Sequence, residues 1–386
     1  MKNIYMDYAA TTPADKTIIK LVKPYFSKDF GNPSSAHAYG FKARNAVNIA
    51  REKVADFFNC NIDEIYFTSG GTESENLAIK GIAYSNRKRG NHIIISAVEH
   101  ASINSSADLL QRQGFEVSKI KVDKTCTVDV EAIRSLIKDN TILVSVMYVN
   151  NEVGSIQPIK NISEILKNIN DERKSRNIGP VWFHVDGEAG SIYMDYDVVA
   201  LGCDSISSNG SKIYSIKGAS ALCVKKGVGV ATQICGGGQE FLIRGGTENV
   251  PAIVAFGEAL RQAKIHRNEN VKDVQFLKDL LASKLLSEID GVRINTPNNS
   301  VPNILHVTFL GYLSVNIVDE MSKRGIYISS GSACASNKID EKSRVLQAMN
   351  FNIDEIDMSV RFSLGKYNRA SEIPVVIKTL KEILHK

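Results

Sequence analysis

EIYFTSGGTES, Glu64 to Ser74, runs from a β-branched and aromatic segment through two glycines to Thr72 and then into helix-forming residues. The spacing predicts a strand, a tight turn and the first turn of a helix. Backbone N–H groups and a hydroxyl at such a helix start point at an anion, and the helix dipole favours negative charge there. An ordinary N-cap uses the same letters, so the stretch takes its meaning from its surroundings.

Outward from it, short β-rich runs alternate with longer helical patterns. NHIIISAV, TILVSVMYV, VWFHVD, DSISSN and ASALCVKK read as strands, and helical patterns fall near 40–58, 73–88, 101–114, 129–138, 159–176 and 250–289. The alternation predicts an α/β fold, an open and mostly parallel sheet with helices on both faces. HIIIS and TILVSVMYV are apolar enough to be buried on both sides. Beyond residue 289 the pattern changes. VRINTP, NILHVTFL and YISSGS read as strands, and NIVDEMSKRG and EIPVVIKTLKEILHK as helices. We expect a large domain over 15–260 and a smaller α+β domain made of 1–14 and 261–386.

The 386 residues are 43% hydrophobic and 23% charged, with a net charge of +5. That is an ordinary globular composition. No basic run is interleaved with aromatics, so direct nucleic-acid binding is not expected. No apolar run is long enough to span a membrane, and MKNIYMDYAATTPADK lacks a signal-peptide core. The six cysteines form no CxxC pair and no zinc-spaced cluster. No metal is expected, and a reducing cytoplasm suits scattered thiols.

Several residues carry chemistry. In FHVD, Asp186 ends a strand, where an open α/β sheet binds ligands; it can hold a cationic ring nitrogen or simply cap a helix. Lys212, after DSISSN, can serve as a Schiff-base nucleophile if partly desolvated. His100 in AVEHASIN can stack on a flat ring. Asn151 in YVNNEVGS can donate to a ring oxygen, and Thr247 in RGGTEN can meet a phosphate. Arg361 in SVRFSLG can clamp a carboxylate through its fork. ISSGSACAS, 328–336, sets Cys334 among small and flexible residues. An exposed thiol there is a liability unless it reacts, and a Gly/Ser/Ala loop can swing. Each residue alone has a plain structural reading. The set is what a pyridoxal phosphate (PLP) enzyme acting on cysteine requires.

The chain resembles the cysteine desulfurases of the NifS/IscS type, in the class V aminotransferase group. MDYAATTP, GNPSSAHAYG, EIYFTSGGTES, VEHA, VNNEVGSIQPI, FHVD, SKIYSIKG, GGGQEFLIRGGTENVP, SSGSACAS and SVRFSLG carry the likeness almost end to end. The resemblance implies a fold-type I PLP-dependent transferase with a seven-stranded-type large domain, built as a homodimer. It implies that Lys212 bonds the cofactor, Asp186 pairs with the pyridinium nitrogen and His100 stacks on the ring. Asn151 contacts the cofactor and substrate. Gly71, Thr72, Asn209 and Ser211 bind the phosphate, with Thr247 reaching in from the other subunit. Arg361 holds the carboxylate of L-cysteine. Cys334 attacks the substrate sulfur, leaving alanine and a persulfide that passes to an acceptor protein.

Three positions depart from the family pattern. Ser211 stands where the family has His before the lysine, Asn209 where it has Ser, and Ala189 where a Gln donates to the ring oxygen. Losing that hydrogen bond is worth about 1.5–3 kcal/mol. Glu188, next to it, has the wrong charge for the task. The expectation is therefore a desulfurase with altered cofactor tuning, serving iron–sulfur assembly or a dedicated pathway such as tRNA thiolation or DNA phosphorothioation. The rivals are a PLP-binding relay or structural subunit and a selenocysteine lyase.

Overall fold

Ile93, Ile94 and Ile95 are fully buried, as are their neighbours on the next strand, Leu143 and Val144. Burial on both faces is what the apolar runs predicted. The computed structural model describes residues 3–331 and 342–384. Its strands are β1 (Ile4–Tyr5), β2 (Ile65–Thr68), β3 (His92–Ser96), β4 (Glu116–Ile120), β5 (Thr141–Ser145), β6 (Trp182–Val185), β7 (Ser205–Asn209), β8 (Ser220–Val224), β9 (Val292–Ile294), β10 (Ile304–Phe309), β11 (Ile326–Tyr327) and β12 (Ser359–Ser363).

The main sheet has seven strands in the order β2-β8-β7-β6-β5-β3-β4. The pairs from β7 to β4 are parallel, and β8 alone runs antiparallel to both its neighbours. The fold is the open, mostly parallel α/β architecture that the alternation of strands and helices predicted. β4 was not anticipated. Its residues, EVSKI, lie at the sheet edge and are largely exposed or half-buried, so they lack the apolar run that marked the others.

A second sheet orders β12-β10-β9, all antiparallel. The amino-terminal β1 pairs in parallel with β11, and Ser363 donates its N–H to the Met6 carbonyl at 2.8 Å. The helical stretch expected over 250–289 is two helices, Val250–Ile265 and Arg267–Glu288. His266 between them leaves helical geometry at φ −97°, ψ 11°. Nothing in its sequence marks a break. The first helix packs closely on Ala38–Phe58, with Gly257 against Ala50. The second turns toward the carboxyl-terminal helix Ile373–Leu384. YISSGS is a strand only at its start, and Cys334 lies outside the described residues. No helix among the described residues is long and apolar enough to cross a membrane.

Candidate active site

Strand direction brings the site together. β3 ends at Ser96 and is followed by His100. β5 ends at Ser145 and leads to Asn151, β6 at Val185 and leads to Asp186, and β7 at Asn209 and leads to Lys212. β2 runs the same way and delivers Ser69 to Thr72 at the start of helix Gly71–Asn76. These carboxyl ends face one cavity of about 480 Å³, within the range of small-molecule sites. Gly71, Thr72, His100, Asn151, Asn209, Ser211, Lys212 and Arg361 all line it. Asp186, 4% exposed, and Thr247 do not.

Each side chain is held by a local cause. His100 caps helix Ala101–Arg112: its Nδ1 accepts the Ser102 N–H at 3.2 Å and faces the Ser102 hydroxyl at 2.7 Å. Burial and the neighbouring Lys212 lower its pKa. Asn209 accepts the Ser211 N–H and hydroxyl at 3.0 Å, closing the turn that presents Lys212. Arg361 donates to the Asn151 carbonyl at 2.8 Å and to Asp7 Oδ1 at 2.7 Å. Its buried Nε has no hydrogen-bond partner among the described residues. Asp7, from the amino terminus, is a site neighbour that sequence reasoning missed. The two residues are 354 positions apart, and no local pattern signals the pair.

The two acids that gather around Asp186 were also missed. Carboxylate oxygens of Glu75, Asp186 and Glu188 lie within 4.8 Å of one another, all buried. Three such groups cannot all ionise in a dry site. Burial, then Asp186, pushes Glu75 well above the ordinary carboxyl range. Burial, then Asp186, raises Glu188 to about 8. Glu75 Oε2 faces the fully buried His184 Nε2 at 2.7 Å, and burial lowers the His184 pKa to about 4.

The loop over 235–249, which carries Thr247, is fastened by two ion pairs. Arg244 meets Glu73 at 2.8 Å. Arg51 meets Glu240 at 2.7 Å, and Glu240 also accepts the Phe67 N–H at 2.8 Å.

The aminotransferase class-V family model matches residues 4–376. This chain belongs to that family. The class-V chain is 39% identical, over 99% of its length and 94% of the relative's, to the cysteine desulfurase IscS of Clostridium botulinum. Among solved structures it is similar to a NifS-like protein at a TM-score of 0.92 and 33% identity, each chain fully covered. It is also similar to SspA, solved in complex with cysteine, at a TM-score of 0.81 and 32% identity over 95% of this chain and all of the other.

PLP is the cofactor of class-V desulfurases, and the residues of this class-V site fit it. An amine, an imidazole, a glycine–threonine helix start and a guanidinium line one cavity, with Asp186 buried beside it. Buried Glu188 Oε1 has no partner among the described residues, so a polar atom at the site still calls for one. As a carboxylate, Glu188 would oppose a phosphate. As the neutral acid that its burial favours, it can donate.

Proposed function

We propose that this chain is a PLP-dependent cysteine desulfurase that converts L-cysteine to L-alanine and passes the sulfur to an acceptor protein. The observation that carries this reading is the single cavity that brings Lys212, His100, Asn151 and Arg361 together from four separate elements. Lys212 would hold the cofactor covalently, Gly71, Thr72, Asn209 and Ser211 its phosphate, and Asp186 its ring nitrogen. His100 would flank the ring and Asn151 would contact its oxygen. When bound, the cofactor supplies an electron sink for the substrate α-carbon.

The chain's own groups do the rest. Arg361 orients the substrate carboxylate, using the part of its fork that Asp7 leaves open. His100, with its imidazole neutral near pH 7, accepts and returns protons. The Cys334 thiolate attacks the substrate sulfur. The Cβ–S bond breaks, an S–S bond forms on Cys334, and Cβ gains a proton. Cysteine plus thiol thus yields alanine plus persulfide with no added oxidant or reductant.

In this reading residues 15–260 form the cofactor-binding domain, and 1–14 with 261–386 form the domain that carries Cys334. The active unit is a homodimer, with Thr247 serving the other subunit's phosphate. Exposed Phe241 and Leu242 in the same loop support a partner copy there. Unpaired Cys60, Cys126, Cys203 and Cys223 support a reducing, cytoplasmic setting.

Alanine formation from L-cysteine, measured beside Lys212→Ala and Cys334→Ala with reductant present, tests the reading. Alanine from the wild type and from neither variant is the expected result. Wild-type protein that binds PLP but forms no alanine would favour a relay subunit.

A further inference from the structure

Glu188 has an unusual position for an acid. Its carboxyl lies directly against the Cα of Gly71: a methyl placed on Gly71 would fall 1.6 Å from Oε1 and 2.0 Å from Oε2. Only glycine at 71 permits this approach. Asn209 Nδ2 donates to Oε2 at 3.3 Å, the Glu188 N–H donates to Asp186 Oδ1 at 3.0 Å, and Oε1 has no partner among the described residues. Glu188 lines the cavity together with Gly71, Thr72, Asn209 and Ser211. These are the residues of the site's anion-binding end.

We infer that Glu188 is a cofactor-binding residue of this chain, donating its carboxyl hydrogen to the phosphate held at Gly71 and Thr72. The inference rests on the PLP reading above. It turns an apparent defect into a working part. Asn209 and Ser211 stand where the family pattern has other phosphate donors, and a neutral Glu188 supplies one more. A neutral carboxyl offers one O–H and keeps an acceptor, as an amide offers N–H and C=O. An O–H to a phosphate oxygen is a charge-assisted bond of the stronger kind.

The charges facing Glu188 bear on its ionisation. Asp186 on its own loop and Glu75 on helix Gly71–Asn76 hold the proton on, while Lys212 after β7 favours its release. Glu73, Lys217, His100 and Arg361 line the same cavity. A phosphate dianion adds to the side of Asp186 and Glu75. Once Glu188 ionises, its charge opposes the phosphate, so cofactor affinity falls as pH rises through its titration.

The test is cofactor affinity against pH, read from the absorbance of PLP and, separately, of pyridoxal, which has no phosphate. Wild type and Glu188→Gln are compared from pH 6.5 to 9.5. Lys212 bonds both aldehydes, so its own titration cancels between them. The two proteins should bind PLP within about threefold at pH 6.5. The wild-type Kd should then rise relative to the variant about tenfold per unit above pH 8. With pyridoxal that ratio should stay flat.

A flat ratio with PLP, or an equal rise with both aldehydes, overturns the inference while leaving the desulfurase reading intact. Failure of wild type to bind PLP at any pH overturns both. If the glutamine variant does not fold, the wild-type ratio of PLP to pyridoxal Kd carries the test: a rise above pH 8 is expected, and a flat ratio overturns the inference. Phosphate has already lost its second proton over that range, its pKa being about 6.

Discussion

Ser329 and Arg361 exchange two backbone hydrogen bonds, the Arg361 N–H to the Ser329 carbonyl at 2.7 Å and the reverse at 3.2 Å. The residue proposed to hold the substrate carboxylate is thus tied through its main chain to the segment that leads to Cys334. Its side chain is tied elsewhere, to Asp7 and the Asn151 carbonyl. Main-chain and side-chain roles can therefore be separated by substitution.

Arg361→Lys keeps the backbone bridge and the charge but has no fork. One ammonium cannot serve Asp7, the Asn151 carbonyl and a carboxylate in the same geometry. We expect kcat/KM for L-cysteine to fall about 10- to 150-fold, the equivalent of about 1.5–3 kcal/mol, with most of the loss in KM. Steady-state alanine formation reads it. An unchanged KM would remove Arg361 from substrate binding.

Gly71→Ala places a methyl on the Glu188 carboxyl, 1.6 Å from its oxygen. The crowding should destabilise the protein by about 1–3 kcal/mol. Glu188→Ala in the same chain should recover most of that loss. Urea unfolding of both single variants and the double variant gives the coupling. Additive effects would mean the two groups do not meet.

His306, fully buried opposite Arg361 on the paired strand, is pushed down to about 3, first by burial and then by Arg361. Between pH 3 and the ordinary histidine value of about 6.5 the unfolded chain binds a proton that the folded chain refuses. Stability from this group is present above 6.5 and lost as pH falls toward 3. Its share of the slope is at most about 1.4 kcal/mol per pH unit. His306→Asn should shallow the acid limb of the unfolding free energy by that amount. An unchanged slope would place the titration elsewhere.

Glu240→Ala would strand the Arg51 charge, whose side chain is 10% exposed, and leave the Phe67 N–H without its acceptor. Breaking such a buried pair costs about 3–5 kcal/mol. Because Glu240, Phe241 and Leu242 all have positive φ, the loop's shape depends on this anchor. Sedimentation velocity should show a lower-mass species for the variant if the loop joins two copies. A variant with unchanged mass and unfolding midpoint would contradict both claims.

The strand-end residues were legible because each chemistry-bearing side chain follows an apolar run at a short, readable spacing, as His100 follows HIIIS and Lys212 follows DSISSN. A parallel sheet then places them together without further information. Glu188 was read by its charge alone. Its neutral state comes from burial beside Asp186 and Glu75, and Glu75 reaches it from another element. The Asp7–Arg361 pair was invisible for the same reason, its partners lying at opposite ends of the chain. β4 was missed because an edge strand needs only one covered face. The reading of Cys334 lies outside the described residues.

Pairing of β1 with β11, and of Met6 with Ser363, has a consequence for how the protein is made. β1 must wait for more than three hundred further residues to be made before its partners exist. The parallel sheet can begin to assemble meanwhile, since domains generally fold as units during synthesis. Arg361 gains Asp7 only when the two termini meet, a closure over nearly the full chain length. The guanidinium proposed to hold the substrate carboxylate is thus among the last groups to be set, and a nascent chain truncated before β12 could build the parallel sheet while lacking that group.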